Sequence, residues 1–165
     1  MRATSAARRS GARRGRAREA PPGPAAIRRR TAVAGVPAPA GPFAWSLAYR
    51  DLLFISGIRG TDPATGVPVR GDAERVGMIF AHLGRILEAN GCTPRDVLAT
   101  RVYVTAMRRH RPLVNEAFIR FFGTVLPTRT IVEVRALNQN DTIEVEVVAA
   151  RRRPPSYPRR PRVRR

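Results

Sequence analysis

The sequence predicts an α+β fold in which one β-sheet is covered on one face by two helices. Between residues 41 and 150, stretches with the two-residue period of strands alternate with two stretches of helical period. Their order is strand, strand, helix, strand, helix, strand, strand. Strands with one apolar face need helices with an apolar stripe to cover them, and this chain supplies both.

The first half of this region predicts a hairpin, a loop and a helix. The segment AWSLAYRDLLFISG (44–57) indicates two short strands around a turn, and the Pro- and Gly-rich segment 61–71 indicates a loop. A helix is predicted over 72–91, with Asp72 as its N-cap and Gly91 as its stop. Its apolar stripe is Val76, Ile79, Phe80, Leu83, Ile86 and Leu87.

The second half predicts a strand, a helix and two closing strands. DVLATRVYVT (96–105) is typical of a strand, and PLVNEAFIRFFG (112–123) predicts a helix that starts at Pro112 and ends at Gly123. Its stripe is Leu113, Val114, Ala117, Phe118, Phe121 and Phe122. The last strands are RTIVEVRAL (129–137) and DTIEVEVVAA (141–150), joined by a turn at NQN.

Alternation divides these strands into two faces. The faces expected to meet the helices carry Val102, Val104, Thr130, Val132, Val134, Ile143, Val145 and Val147. Arg129 and Glu144 are expected to share the opposite face, on strands that could be neighbours. Such a face is often only solvated, with charges paired across strands. Because Tyr103, Ile131 and Val148 are also expected on it, we favour a homo-oligomer whose sheets face one another around a polar pocket.

The net charge of +19 lies almost entirely in the terminal segments. All 31 basic residues are arginine; residues 1–40 carry +9, residues 41–150 carry +2 and residues 151–165 carry +8. The Arg-, Ala- and Pro-rich composition, which extends through residue 30, predicts disordered tails over 1–27 and 153–165 around a folded domain at 28–152. The abundance of arginine in the tails is explained best by compositional drift of a GC-rich coding sequence or by a start codon placed too early. Nucleic-acid binding explains it less well.

Cysteine count and hydropathy point to a cytoplasmic protein. Cys92 is the single cysteine, so no intrachain disulfide is expected and a reducing compartment is the default. No apolar run is long enough for a signal peptide or a membrane span. With two histidines and one cysteine, a metal site is not expected.

Several spaced motifs resemble the RidA/YjgF family of imine and enamine deaminases. They are GPFAWSLAYRDLLFISGIRGTDPATGVPVRG, DVLATRVYVT, NEAF, PTRTIVEV and IEVEVVAA, and they span the folded region. The resemblance implies a chorismate-mutase-like mixed sheet and a homotrimer with sites between subunits. It implies hydrolysis of 2-imino or 2-enamino acids to 2-oxo acids and ammonia, with no cofactor.

The resemblance also implies roles for individual residues. Arg129 falls on the family's carboxylate-binding arginine, and Glu144 on the acid that places the hydrolytic water. Asn115 and Gly57 match positions that line the cleft. Two departures stand at substrate-binding positions: the usual tyrosine is Phe43 and a common cysteine is Ile131. The carboxylate anchor is kept, and the substrate's identity is left open.

The residues themselves suit this chemistry, although an ordinary cross-strand ion pair would place Arg129 and Glu144 in the same way. An arginine fork binds a carboxylate bidentately, and a carboxylate near the reacting carbon orients water and stabilises an iminium.

The alternative function is a non-catalytic ligand-sensing or RNA-associated protein on the same trimeric scaffold, suggested by Phe43 and the Arg-rich tails.

Overall fold

The computed structural model describes residues 26–151, so the predicted disorder of the two tails falls outside it, apart from residues 26 and 27. The elements are β1 Arg28–Arg30, β2 Ser46–Tyr49, β3 Leu52–Arg59, α1 Asp72–Ala89, β4 Val97–Val104, α2 Met107–Phe122, β5 Thr128–Glu133 and β6 Ile143–Ala150. Short 3₁₀ turns at Pro94–Asp96 and Asn138–Asn140 precede β4 and β6.

The six strands form one mixed sheet in the order β1-β2-β3-β6-β4-β5. Only β4 and β5 pair in parallel, because α2 connects them as a crossover; the other described pairs are antiparallel. The predicted α+β class with two helices on one face is confirmed. Strand β1 was not predicted, because three consecutive arginines show neither apolar alternation nor β-branching.

The core lies between the helices and one face of the sheet. The predicted stripe residue Leu83 and the strand residues Val102 and Val145 are fully buried. At the α1–α2 contact, the rings of Phe80 and Phe118 pack edge to face, with their centroids 5.3 Å apart. We call the face without helices the open face; it carries Leu47, Tyr49, Leu52, Phe54, Arg59, Arg101, Tyr103, Val132, Glu144, Glu146 and Val148.

The faces predicted for β5 are wrong. The parallel register sets Arg129 beside Thr100 and Ile131 beside Val102. Thr100 and Val102 are buried on the helix side, so Arg129 and Ile131 also point to that side. Val132 is exposed on the open face. Alternation could not decide this, because each face of the segment mixes apolar and polar residues.

Helix α1 ends as predicted but begins differently. Gly91 adopts a left-handed φ of 71°, and its amide donates to the Glu88 carbonyl. At the start, Gly71 holds the cap position and Asp72 is the first helical residue. The Asp72 carboxylate accepts a hydrogen bond from Arg109 Nε at 2.6 Å, and so ties the start of α1 to the start of α2.

Helix α2 begins at Met107, five residues before its predicted start. Pro112 therefore lies inside the helix, where it removes one backbone hydrogen bond. The new first turn is supported from outside: the Met107 amide donates to Glu133 Oε2 at 2.7 Å. Gly123 ends the helix at a φ of 61°, as predicted. Neither described helix has the length and apolar character needed to cross a bilayer.

We expect Asp72→Asn to lower the free energy of unfolding at pH 7 by about 1 kcal/mol. Burial raises the pKa of Asp72, but the Arg109 hydrogen bond and the charges of His110 and Arg109 outweigh it, leaving that pKa below its ordinary value. A depressed pKa stabilises above the unfolded-state pKa near 4, and the effect is lost as the pH falls through the folded-state pKa.

Urea denaturation at pH 7 and at pH 3 measures this difference, which should shrink at the lower pH. Glu116→Gln is the control, because its carboxylate forms an exposed pair with Arg120 on α2. A loss in Asp72→Asn that stays the same at both pH values would contradict the assignment.

Candidate functional site

Glu144 lies on the open face, with its carboxylate directly against Gly57. It alternates with Ile143 and Val145, which are fully buried on the helix side. In β3 the register with β6 shifts between Ile55 and Ile58, so Gly57 lies in a β-bulge. A Cβ at Gly57 would lie 1.8 Å from Glu144 Oε1. A glycine is therefore required for the carboxylate to occupy this position.

The surroundings of Glu144 favour its neutral form, and one arginine opposes them. Burial raises the pKa of Glu144, and the charge of Arg59 acts in the other direction. Asp141 and Glu146 raise the pKa further. The net pKa lies above the ordinary value of a glutamate, as is common for carboxyl groups at functional sites.

Phe43 forms an aromatic wall beside Gly57. Its ring packs edge to face on Trp45, with centroids 5.4 Å apart, and Trp45 Nε1 donates to the Pro37 carbonyl at 2.8 Å. Phe43 remains 40% exposed and lines a small hollow together with Gly57 and Arg59. We call Phe43, Gly57, Arg59 and Glu144 the Glu144 half-site.

Arg129 lies on β5, at the edge of the sheet, where α2 holds its guanidinium. Its Nη2 donates to Asn115 Oδ1 at 2.8 Å, and its Cζ lies 4.7 Å from the centroid of the Phe118 ring. These residues line a cavity of about 440 Å³ with Ile119, Leu126 and Pro127. We call Arg129, Asn115, Phe118, Leu126 and Pro127 the Arg129 half-site.

The charge of Arg129 is not neutralised by an acid. Within residues 26–151, no carboxylate lies within 4.0 Å of its guanidinium nitrogens. Burial and the nearby charge of Arg111 lower the pKa of Arg129, yet arginine stays protonated in proteins. The half-site therefore offers a fixed cation beside an apolar wall, which suits a small carboxylate.

The predicted common face for Arg129 and Glu144 is wrong. Arg129 points to the helix side and Glu144 to the open face, and β4 separates their strands. The structure brings Asn115 to Arg129 and brings Gly57 to Glu144. It does not bring the two groups together in one copy.

Ile131 does not open into either half-site. Its side chain is partly buried and packs against the core on the helix side, so the site prediction for this residue is not supported by its side chain. The predicted cross-strand pairing of open-face charges is seen for Arg101 and Glu146, with Tyr103 Oη also donating to Glu146. Sequence reasoning missed Arg59, because only the register shows that it lies opposite Glu144.

The other chemically capable side chains have structural roles. His82 is fully buried, and its Nε2 donates to the Thr61 carbonyl at 2.8 Å. Cys92 is buried, and burial followed by the charge of Asp96 raises the pKa of its thiol. No group of three or more His, Cys, Asp or Glu side chains in the described part of the chain could hold a metal ion.

Comparison with known proteins gives one consistent group of relatives. The model of the family described as Endoribonuclease L-PSP matches residues 34–151. A RutC family protein of Aquifex aeolicus is 34% identical over 117 residues, covering 70% of this chain and 93% of that protein. The human 2-iminobutanoate/2-iminopropanoate deaminase is 33% identical over 124 residues, covering 74% and 90%.

A solved structure agrees with these sequence matches. RidA from the Antarctic bacterium Psychrobacter superposes with a TM-score of 0.71 and is 26% identical in sequence. The superposition covers 74% of this chain and 99% of that protein. The shared fold thus spans the region that contains both half-sites.

We expect Gly57→Ala to destabilise the protein by about 1–3 kcal/mol, because the new methyl group would overlap Glu144 Oε1. In a Glu144→Ala background the same substitution should cost much less, and urea denaturation of the four proteins gives the coupling energy. Gly77→Ala is the control, since nothing lies within 4 Å of its added Cβ and its helical site favours alanine. Equal costs in both backgrounds would show that Glu144 does not occupy this position.

Proposed function

Because the chain belongs to the RidA/YjgF family, we propose that it hydrolyses reactive 2-imino and 2-enamino acids to 2-oxo acids and ammonia. The observation that carries the proposal is Arg129, a cation with no acidic partner among residues 26–151, held by Asn115 and Phe118 at an apolar cavity. Relatives about one third identical are named 2-iminobutanoate/2-iminopropanoate deaminase, which supports the same reaction class.

In the proposed reaction, Arg129 binds the substrate carboxylate through its guanidinium fork. Glu144 orients a water molecule toward the C=N carbon and stabilises the positive charge of the iminium. Water adds its oxygen to that carbon, the C–N bond breaks, and an iminium with one water gives a 2-oxo acid and ammonium. No redox cofactor or metal takes part in this balance. Phe43, which lacks a hydroxyl group, would contribute an apolar wall.

We propose that the complete site forms between copies of a homotrimer. A single copy holds its two half-sites on opposite faces of the sheet, so a shared cleft needs the Arg129 edge of one copy against the open face of the next. The exposed apolar side chains of Leu52, Phe54 and Val132 on the open face support such packing. In this proposal residues 28–152 form the catalytic domain, and a cytoplasmic location fits its single thiol.

Activity is tested with imines generated from alanine, serine or leucine by an amino-acid oxidase or a dehydratase, following imine decay by trapping. Arg129→Ala should lose at least about 100-fold in kcat/KM, since the charged hydrogen bonds to the carboxylate are worth several kcal/mol together. Arg129→Lys keeps the charge but lacks the two-pronged guanidinium, so it should recover only part of the activity that Arg129→Ala loses. Arg85→Gln is the control, because the Arg85 guanidinium binds the Gly35 carbonyl and belongs to neither half-site.

Wild-type activity in Arg129→Ala would remove this residue from the site. If the wild-type protein accelerates no imine but binds 2-oxo acids in an Arg129-dependent manner, the ligand-sensing alternative is favoured.

Subunit complementation tests the shared cleft. Arg129→Ala and Glu144→Ala, each inactive alone, are co-expressed with different tags and purified as mixed oligomers. Random assortment should restore about a quarter of the wild-type sites if each site takes Arg129 from one copy and Glu144 from another. No restored activity in a confirmed mixed trimer would place both residues in one copy's site.

A second candidate function, nucleic-acid association, is favoured by a cluster of arginines that we call the basic corner: Arg28, Arg29, Arg30, Arg50 and Arg151. Four of them line a hollow of about 270 Å³ beside the end of α1, and Arg50 lies over the ring of Tyr49. The Arg151 amide donates to the Asp51 carbonyl in the β2–β3 turn, and Arg28 pairs with Ala48 just before that turn. Both Arg-rich terminal segments therefore connect to the domain at one corner.

We expect affinity for single-stranded RNA to fall steeply between 50 and 200 mM salt, as measured by fluorescence anisotropy. Deleting residues 1–27 and 153–165 should weaken it strongly and leave only the part that the basic corner contributes, and imine hydrolysis should survive. RNA affinity that the deletion leaves unchanged, or that does not depend on salt, would contradict a role for the terminal arginines.

A further inference from the structure

Arg59 joins the Glu144 half-site to the turn that precedes β6. It lies directly opposite Glu144 in the β3–β6 register, on the open face. Its Nη1 donates to the Asn138 carbonyl at 2.8 Å, and its Nη2 donates to Gln139 Oε1 at 2.9 Å. Its side chain is only 12% exposed, and Nη1 lies 3.9 Å from the fully buried carboxylate of Asp141. Arg59 is thus a largely fixed guanidinium, directed inward rather than toward solvent.

The turn that Arg59 contacts has an unfavourable backbone. Gln139 and Asn140 adopt φ values of 55° and 54°, in the left-handed region that favours glycine. Two consecutive residues of this kind need support from outside the turn. Arg59 provides it by bonding one main-chain carbonyl and one side chain of the turn. Since β6 begins at Ile143, the same turn sets the position of Glu144.

The charges facing Glu144 come from three strands and the turn. Arg59 faces it from β3, Tyr103 from β4, Glu146 from its own strand and Asp141 from the turn. Asp141 and Glu146 are acids, and each disfavours a negative charge on Glu144. Opposed residues on neighbouring strands have Cβ atoms about 5 Å apart. The Arg59 guanidinium is directed to the turn rather than into a salt bridge with Glu144, and its charge acts on Glu144 from a fixed position.

We propose that Arg59 is the positioning residue of this site: one guanidinium fixes the turn before β6 and supplies the positive charge that opposes the acids around Glu144. The proposal rests on the proposed deaminase function. Arg75 completes the arrangement from α1, with Nη1 3.7 Å from Asp141 and 3.1 Å from Thr142 Oγ1. Asp141 is thereby flanked by two arginines, and Arg59 need not neutralise it alone.

Arg59→Gln and Arg59→Lys separate the two roles. The glutamine variant loses the charge, so the acid limb of the kcat/KM profile should move up by about one pH unit, with about tenfold lower activity on that limb. The sign follows from the assignment: without the cation the pKa of Glu144 rises further, and a larger fraction is protonated at a given pH. Lysine restores the charge but cannot bond Asn138 and Gln139 as a planar fork. The acid limb of the kcat/KM profile of Arg59→Lys should therefore stay near its wild-type position, while kcat falls.

Carboxyl NMR titration of Glu144, assigned by the loss of its signal in Glu144→Gln, gives a second readout that needs no activity. The matched control is Arg85→Gln, which also removes a guanidinium bonded to a backbone carbonyl but does not contact Glu144. Its titration and its pH profile should match wild type. Urea denaturation confirms that each variant is folded; if the glutamine variant does not fold, the lysine variant still tests the positional role.

The results distinguish the two proposals. An unchanged Glu144 titration in folded Arg59→Gln would overturn the proposed effect of the Arg59 charge on Glu144, whatever the activity. A raised Glu144 titration in a protein that hydrolyses no imine would support the role of Arg59 and reject the deaminase. A lysine variant with the wild-type kcat would reject the need for the fork and leave only the charge.

Discussion

The structure of the candidate site depends on the contact between a glutamate carboxylate and a glycine. Glu144 can lie flat against β3 only because Gly57 has no side chain and the bulge brings its backbone close. Burial in this position disfavours the charged carboxylate. The surrounding elements must therefore leave this space empty and supply a positive charge. The segment SGIR (56–59) meets both requirements, the first through Gly57 and the second through Arg59.

The two faces of the sheet carry different kinds of side chain. Helices α1 and α2 cover one face with an apolar core, and α2 also fixes Arg129 at the sheet edge through Asn115 and Phe118. The open face carries acids, their arginine partners and exposed apolar side chains. Arg129 and Glu144, which point to opposite faces, are each held by their own surrounding elements. Under the proposed function, their joint use in one reaction requires packing between copies.

Much of the fold could be predicted from the sequence, because long periodic segments leave little choice. The stripe of α1, the stop at Gly91 and the buried alternation of β6 agree with the structure. The faces of β5 were wrong because Ile131 and Val132 are both apolar, and only pairing with β4 distinguishes them. Arg59 could not be recognised for a related reason: its partner, Glu144, lies 85 residues later, and local patterns carry no register.

The placement of Cys92 has a consequence for how the protein withstands its proposed substrates. The C=N carbon of an imine is electrophilic, and thiols and amines add to it. The one thiol of this chain is 5% exposed and has a raised pKa, so little thiolate is available to react. All 31 basic side chains are arginine, so no lysine amine is present either. The chain therefore offers the proposed substrates one buried thiol and no lysine amine, and under the proposed function it should resist self-inactivation during turnover.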